Sequence, residues 1–503
     1  MQKYSLLSGI HHWMDVAPDS VCFQNETETF TYRDLELRSD VLAETLSRFF
    51  PGNEPILCFG GLNFNMIVSF LACVKSNHPY IPVDISTPEH RIEAIRQISG
   101  CHGILTTDEW PFESESLGVS KTETRPIAKL PRYPVSAVRG DENFYIIFTS
   151  GTTGAPKGVQ ISHDNLISFT DWMLRDFGIE NGKRFLIQAP YSFDLSVMSL
   201  LPALLTGGTL AAIGKSAVTD FNRLFSAIPK LDLNIWVSTP SFADVCLADP
   251  GFNEKENPGL SHFLFCGDEL PHATATKLLE RFPGARVFNT YGPTEATVAV
   301  TQIEITRDVL SAHGRLPVGY AKPDTVIAIL DEDGKELPEG EVGEIVIAGP
   351  PVSKGYINDP KRTAESFFLY HSMPAYRTGD AGFLKEDLLF YKGRLDFQVK
   401  FHGYRIETQD IEQHLERNDY VKAALVVPEY KDYKVRRLVA CVVPEAHPFG
   451  KESELTSSLK TSLAASVMDY MVPQKFIYLD SLPLTANGKV DRKKMIDRVN
   501  GKP

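Results

Sequence analysis

The stretch that most constrains this chain is residues 144–158, FYIIFTSGTTGAPKG. An apolar and aromatic run predicts a short buried strand. It breaks at once into Ser, Thr and Gly with one Pro and one Lys, and amphipathic sequence resumes at Ser162. A glycine-rich polar loop directly after a core strand presents backbone N–H groups and hydroxyls at a fixed point, which suits phosphate oxygens. Gly151, Gly154 and Gly158 permit close backbone approach, and Lys157 adds a cation. A P-loop would need Gly, four residues, then Gly-Lys-Ser/Thr. Here Pro156 stands five residues after Gly151, and Lys157 is followed by Gly158. The loop therefore belongs to another nucleotide fold or is a plain surface connection, and composition alone leaves both open.

The surrounding pattern is layered α/β. Residues 31–49 carry apolar positions at helical spacing with Thr31 as N-cap, 55–59 and 80–83 are short apolar runs, and 65–75 and 88–99 read as helices. Residues 107–140 are polar and Pro-containing, a predicted surface connection. Further on, 164–177 predicts an amphipathic helix, and 184–188, 207–213, 234–238 and 262–266 predict buried strands. From Gly314 the texture changes to strand-like runs with Asp-Gly and Glu-Gly turns, which predicts a smaller β-rich unit over about 314–396. Residues 397–503 read as a separate small α+β domain, with helices at 408–416 and 452–467 and strands at 423–427 and 437–443.

At 503 residues the chain exceeds one core. A net charge of −13 argues against a general nucleic-acid binder. No apolar run reaches membrane-spanning length, and the first 20 residues lack a signal-peptide pattern. The seven cysteines are scattered, odd in number and without a Cys-x-x-Cys pair, which fits reduced thiols in a cytoplasm. No metal-ligand spacing stands out among the 13 histidines.

Several residues invite chemistry, each with a plainer alternative. Asp194 lies between Phe193 and Leu195, a costly place for a carboxylate unless it is paired, faces a ligand or caps a helix. Thr294 and Glu295 follow the turn Tyr291-Gly292-Pro293; they suit a hard cation, or they start a helix. Asp380 ends a loop and could accept from a ribose diol, or merely close a turn. Asn487-Gly488 would project Lys489 from a loop tip, where a solvated lysine is the usual outcome.

Their order along the chain is more specific than any one of them. FTSGTTGAPKGV, FDLSV, NTYGPTEATV, YRTGD, GRLDFQVKFHGYRIE and NGKVDRK occur in sequence. This order resembles the adenylate-forming superfamily of acyl-CoA synthetases, luciferases and peptide-synthetase adenylation domains, over essentially the whole chain. Within it, HPYIPVD, TDWMLRDF, SFDLSVM, FLFCGDELP and NTYGPTEATVAVT are similar to stand-alone ligases that charge D-alanine onto a D-alanyl carrier protein.

The resemblance implies a large N-terminal domain of layered α/β subdomains with a β-rich subdomain (1–396), and a small mobile α+β domain (397–503). It implies ATP and Mg2+ as cofactors and two half-reactions: adenylation of a carboxylate, then transfer to a phosphopantetheine thiol. Thr149, Ser150, Gly151, Thr152, Thr153, Gly154 and Lys157 would hold the β- and γ-phosphates. Asn289, Thr290, Tyr291, Gly292, Pro293 and Thr294 would line the adenine and α-phosphate, and Glu295 would ligate magnesium. Asp380 would bind the ribose, with Tyr391, Lys392, Gly393 and Arg394 beside it. Lys489 would bridge the substrate carboxylate and α-phosphate. Asp396 would be the hinge of the small domain, and Gly403 would line the pantetheine tunnel. Asp194 would pair with the α-ammonium of an amino acid, with Cys266 and Val298 walling a pocket for a methyl side chain. A cytoplasmic monomer with D-alanine and its carrier protein as partners is implied. Another small amino acid in peptide assembly is the alternative, and a non-catalytic adenylate sensor a third reading.

Overall fold

The structure, a computed structural model, describes residues 5–112, 117–118, 137–151, 155–431, 433–484 and 490–501. The chain divides into two compact units. One comprises Met1–Ile85, Ile95–Phe148 and Gly158–Gly393; the other comprises Arg394–Pro503 with the short segments Ser86–Ala94 and Thr149–Lys157. The division at 393/394 lies three residues before the expected boundary, and the second unit is not one continuous stretch of chain.

The first unit is built on two sheets. The smaller has six strands in the order Leu117–Gly118, Gly103–Thr106, Ile56–Phe59, Tyr80–Val83, Asn143–Thr149, Lys157–Ser162. Ile56–Phe59 pairs in parallel with both Tyr80–Val83 and Gly103–Thr106. Parallel strands need crossovers, and the helices Phe64–Lys75 and Glu89–Ser99 provide them. All four residues of each of these three strands are buried, which is why they read as unbroken apolar runs. Helix starts follow cap chemistry. Thr31 and Asp34 form a capping box at Tyr32–Phe49, Asn63 caps Phe64–Lys75, and Ser162 with Asn165 caps His163–Asp176. Most of 107–140 lies outside the described residues, and the strand Leu117–Gly118 falls within it.

The larger sheet has fourteen strands. Its centre is parallel: Val21–Gln24, Thr209–Ala212, Arg184–Ile187, Ile235–Ser238, His262–Phe265 and Arg286–Tyr291. Thr301–Glu304 then turns antiparallel against Arg286–Tyr291, and Gly319–Ala321 and Leu388–Arg394 continue the ladder. The β-rich stretch expected as a smaller unit is thus a hydrogen-bonded continuation of the central sheet. Thr301–Glu304, with alternating burial, is the joining strand. The β-rich stretch packs around Ile329, Ile345, Ile347 and Tyr376. The N-terminal helix Leu6–Val16, unremarked in the sequence, is tied down by Trp13, whose indole N–H donates to the Leu205 carbonyl at 2.8 Å.

In the second unit, Gln398–Phe401 and Tyr404–Glu407 form a hairpin. Its two-residue turn is His402 (φ 53°) and Gly403 (φ 84°), both left-handed, as a tight hairpin of matching twist requires. Val421–Lys431 and Lys434–Pro444 pair antiparallel, and Lys475–Tyr478 adds in parallel. The helices Thr408–Glu416 and Glu452–Ala464 bury Ile411, Leu415, Leu455, Leu459 and Leu463 in one core with Val399, Phe401 and Ile406. Arg492, at the start of Arg492–Val499, grips both carboxylate oxygens of Glu412 at 2.6 Å and donates to the Val426 carbonyl.

Candidate active site

In an open parallel sheet, ligands bind beyond the carboxyl ends of the strands. Because Arg184–Ile187, Ile235–Ser238, His262–Phe265 and Arg286–Tyr291 run in parallel, the segments leaving them emerge on one edge of the sheet. Those segments hold Asp194, Cys266 and 292–298.

Asp194 is the first residue of a one-turn 3-10 helix, Asp194–Ser196, and the cap position belongs to Phe193. The capping alternative for Asp194 is therefore incorrect. Thr294 and Glu295 do begin a one-turn 3-10 helix, Thr294–Ala296, whose cap position falls to Pro293 with no side-chain bond. Cys266 is a buried thiol in no disulfide, and its Sγ–H donates to the Val298 carbonyl at 3.5 Å, so these two distant residues meet. All seven cysteines are buried and outside any disulfide.

Thr297 and Val298 take φ values of 56° and 70°. Two consecutive β-branched residues in the left-handed region are strained, and such strain persists only where neighbours fix it. Thr297 is fixed by its hydroxyl, which donates to the Pro351 carbonyl at 2.7 Å. Gly292 is needed on space alone: a Cβ there would sit 2.6 Å from the Ala299 Cα.

Glu295 is fully buried. Its Oε1 accepts from the Tyr356 hydroxyl at 2.8 Å, and its backbone carbonyl accepts from Ser353 N–H at 2.9 Å. Among the described residues no group of three or more His, Cys, Asp or Glu could cage a metal. A lone, oriented carboxylate fits a hard cation held mainly by phosphate oxygens, as magnesium on a nucleotide is.

Asp380, also buried, accepts from the Tyr291 hydroxyl at 2.6 Å, and its backbone N–H donates to the Thr378 hydroxyl. Burial, and then the Asp380 charge, push the Tyr291 phenol well above its usual range, so it keeps its proton and acts as donor. The Tyr391 ring lies 6.2 Å from Tyr291. Asn289 and Thr290 spend side-chain donors on the Pro317 and Phe265 carbonyls, both at 2.8 Å, and so hold the strand end in place. Arg315 is bidentate to Glu269 at 2.7 Å, packs over Tyr391 and donates to the Lys392 carbonyl. Tyr356, Arg315 and Glu269 were not legible as site residues. FLFCGDELP contains Glu269, but nothing local marks Tyr356, which is 61 positions from Glu295.

The glycine-rich loop groups with the second unit. Among the described residues the buried hydroxyl of Thr149 has no hydrogen-bond partner. Ser150 donates to the Arg405 carbonyl at 2.7 Å, tying the loop to the hairpin that carries Gly403. Lys157, expected as a loop cation, is instead buried at the first position of a strand. It lies near Glu407, whose carboxyl is raised by burial and partly restored by the Lys157 charge. Arg394 Nε donates to Asp396 Oδ1 at 2.8 Å, and the same oxygen accepts from Gln398 N–H. Thr152, Thr153, Gly154 and Lys489 lie outside the described residues; Leu484 and Val490, on either side of Lys489's segment, form an antiparallel bridge.

Residues 10–357 match the AMP-binding enzyme family, and residues 410–489 match the AMP-binding enzyme C-terminal domain. The chain belongs to the AMP-binding enzymes. Curated relatives include D-alanine–D-alanyl carrier protein ligases from Lactiplantibacillus plantarum (48% identical, 99% of each chain) and Lacticaseibacillus paracasei (48%, 96% of this chain and 97% of the other). Among solved structures, a nonribosomal peptide synthetase protein containing adenylation and PCP domains superposes with a TM-score of 0.83 at 26% identity, covering 98% of this chain and 84% of that one. A Vibrio cholerae adenylation domain in complex with glycyl-adenosine-5'-phosphate shares the fold, with a TM-score of 0.82 at 22% identity over 98% and 97%. No helix among the described residues of this AMP-binding enzyme is long and apolar enough to cross a membrane.

Proposed function

We propose that this enzyme activates D-alanine with ATP, releasing pyrophosphate, and then transfers the D-alanyl group to the phosphopantetheine thiol of a carrier protein. The observation that carries the reading is the 48% identity to ligases of that activity over 99% of both chains. The bond from the Cys266 thiol to the Val298 carbonyl supports it, since it brings together the two residues that would wall a small site for a methyl side chain.

In the first half-reaction a D-alanine carboxylate oxygen attacks the α-phosphorus and the bond to pyrophosphate breaks. In the second, the pantetheine sulfur attacks the acyl carbon and AMP leaves. Negative charge develops in both, so oriented cations and donors carry much of the catalysis. Asp194 pairs with the α-ammonium. Thr149–Gly154 and the 289–294 strand end hold the triphosphate and base, and Asp380, oriented by Tyr291, receives the ribose hydroxyls. Lys489 bridges carboxylate and α-phosphate during adenylation. Glu295, oriented by Tyr356, is the residue that would hold Mg2+, which would supply charge neutralisation to the phosphates. Asp396 is the hinge about which the small domain turns between half-reactions, bringing Gly403 to the pantetheine tunnel. The enzyme acts as a cytoplasmic monomer and supplies D-alanylation of teichoic acids.

The test is ATP–pyrophosphate exchange across amino acids, with both enantiomers of alanine. D-Alanine should drive the fastest exchange, with glycine and serine weak, since one methyl group discriminates only modestly. Exchange with L-alanine or a fatty acid but none with D-alanine would refute the reading.

A further inference from the structure

Asp380 meets the Tyr291 hydroxyl from a strand that is not regular. Gly343–Ala348 and Met373–Lys385 pair antiparallel as Ala348–Ala375, Ile347–Tyr376 and Val346–Arg377, and the pairing resumes at Glu344–Ala381. Ile345 alone therefore stands opposite Thr378, Gly379 and Asp380. A bulge leaves its extra residues outside the ladder and re-aims a side chain, which is why bulges gather beside active sites. Gly379, at φ 67°, supplies the left-handed turn within it.

Backbone groups taken out of a ladder need other partners. Two side chains supply them here. The Thr378 hydroxyl donates to the Ile345 carbonyl at 2.7 Å and accepts from the Asp380 N–H at 3.0 Å. Glu344 acts from the facing strand: its Oε1 accepts from the Gly379 N–H at 3.0 Å, and its Oε2 accepts from Arg377 Nη1 at 2.8 Å. One carboxylate thus ties the residue before the bulge to the middle of the bulge, and Asp380 is the next residue along. Only a side chain with two acceptor oxygens meets both donors; a glutamine of the same shape would turn an NH2 toward one of them. Thr378 and Gly379 lie inside YRTGD, whereas Glu344 is 35 positions from Gly379.

We propose that Glu344 is the positioning residue of the ribose site: by pinning the bulge through the Gly379 N–H and Arg377 together, it sets the direction in which Asp380 receives the ribose hydroxyls. This rests on the reading of Asp380 given above. Glu344→Gln in the full-length enzyme, assayed by pyrophosphate exchange, should raise the KM for ATP roughly tenfold, the scale of one hydrogen bond to a charged group, with kcat and the KM for D-alanine unchanged. The deciding comparison uses dideoxy-ATP, which has no ribose hydroxyl for Asp380 to receive. Wild type should bind it more weakly than ATP, and Glu344→Gln should have the wild-type KM for it. Should the glutamine prevent folding, the same comparison is made on Glu344→Asp, which keeps the charge for Arg377 but is one methylene short of spanning both donors. A variant KM for ATP equal to that of wild type overturns the proposal, as does a KM raised equally for ATP and dideoxy-ATP, which would make Glu344 a support of the sheet alone. A wild type that treats the two nucleotides alike overturns the reading of Asp380 and the proposal with it.

Discussion

Asp410 offers a sharp energetic test of the second unit. It sits in the first turn of Thr408–Glu416, 3% exposed, and among the described residues its Oδ1 has no hydrogen-bond partner. His414 Nε2 stands 3.6 Å away. Burial pushes the Asp410 carboxyl up from an ordinary 3.8 to about 6; Arg91 and Arg417 oppose the rise, and Glu407 adds to it. His414 is itself depressed by burial and by Arg417, so above neutral pH it is uncharged and does not rescue the carboxylate. At about 1.4 kcal/mol per pH unit, the rise corresponds to roughly 3 kcal/mol. Because the folded value lies above the unfolded one, the stabilisation is full below pH 3.8 and is lost as pH climbs through about 6. A carboxylate near a helix N-terminus gains back only about 0.3–1 kcal/mol. Asp410→Asn should therefore stabilise the unit by about 2 kcal/mol at pH 8, and that advantage should shrink by about 1.4 kcal/mol at pH 5. Trp13, Trp110, Trp172 and Trp236 all precede residue 394, so tryptophan fluorescence would report on the other unit. Hydrogen exchange of helix 408–416 in urea, at both pH values, is the appropriate assay. A gain that is equal at the two pH values, or a variant less stable at pH 8, would show that no buried ionised carboxylate is present.

Other substitutions probe the chemistry. Asp194→Asn should raise the KM for D-alanine about 100-fold or more while the KM for ATP stays put, because a charged hydrogen-bonded partner of the ammonium is removed; an unchanged KM in exchange assays would remove Asp194 from the substrate site. Lys489→Ala should abolish adenylation yet spare thiolation from supplied D-alanyl adenylate, measured as carrier loading; equal loss of both would argue against a rotating small domain. Tyr291→Phe deprives buried Asp380 of its donor and should cost about 1–3 kcal/mol in urea denaturation, with a raised KM for ATP.

Much of this molecule could be read from local sequence, because local rules decide it. Thr31, three residues before Asp34, forms the box that starts its helix. The run 80–83 is a strand at those bounds, since a doubly buried parallel strand shows itself as an apolar run. The motif order also indicated the family. What escaped depends on contacts between distant residues. The strand Thr301–Glu304 that joins the β-rich stretch to the central sheet is four residues long and unremarkable alone. Tyr356 acquires meaning only opposite Glu295, and Arg315 only between Glu269 and Tyr391. Lys157 looked like a loop cation because the chain around it is polar, yet Glu407, 250 positions away, shares its burial. Asp194 could be a cap or a ligand-facing carboxylate on sequence alone, and the backbone gives the cap position to Phe193.

The left-handed pair Thr297–Val298 also decides where the pocket can be redesigned. Most side chains are ill at ease at φ 70°, so a library at position 298 would be weeded for backbone tolerance before specificity was ever scored. Cys266 follows directly on the strand His262–Phe265 and has no positive φ, so it accepts a wide range of side chains without that penalty. Its thiol touches the same carbonyl that Val298 presents. With Cys266 and Val298 walling the amino-acid site as proposed, a change of amino-acid preference has an easier route at 266 than at 298.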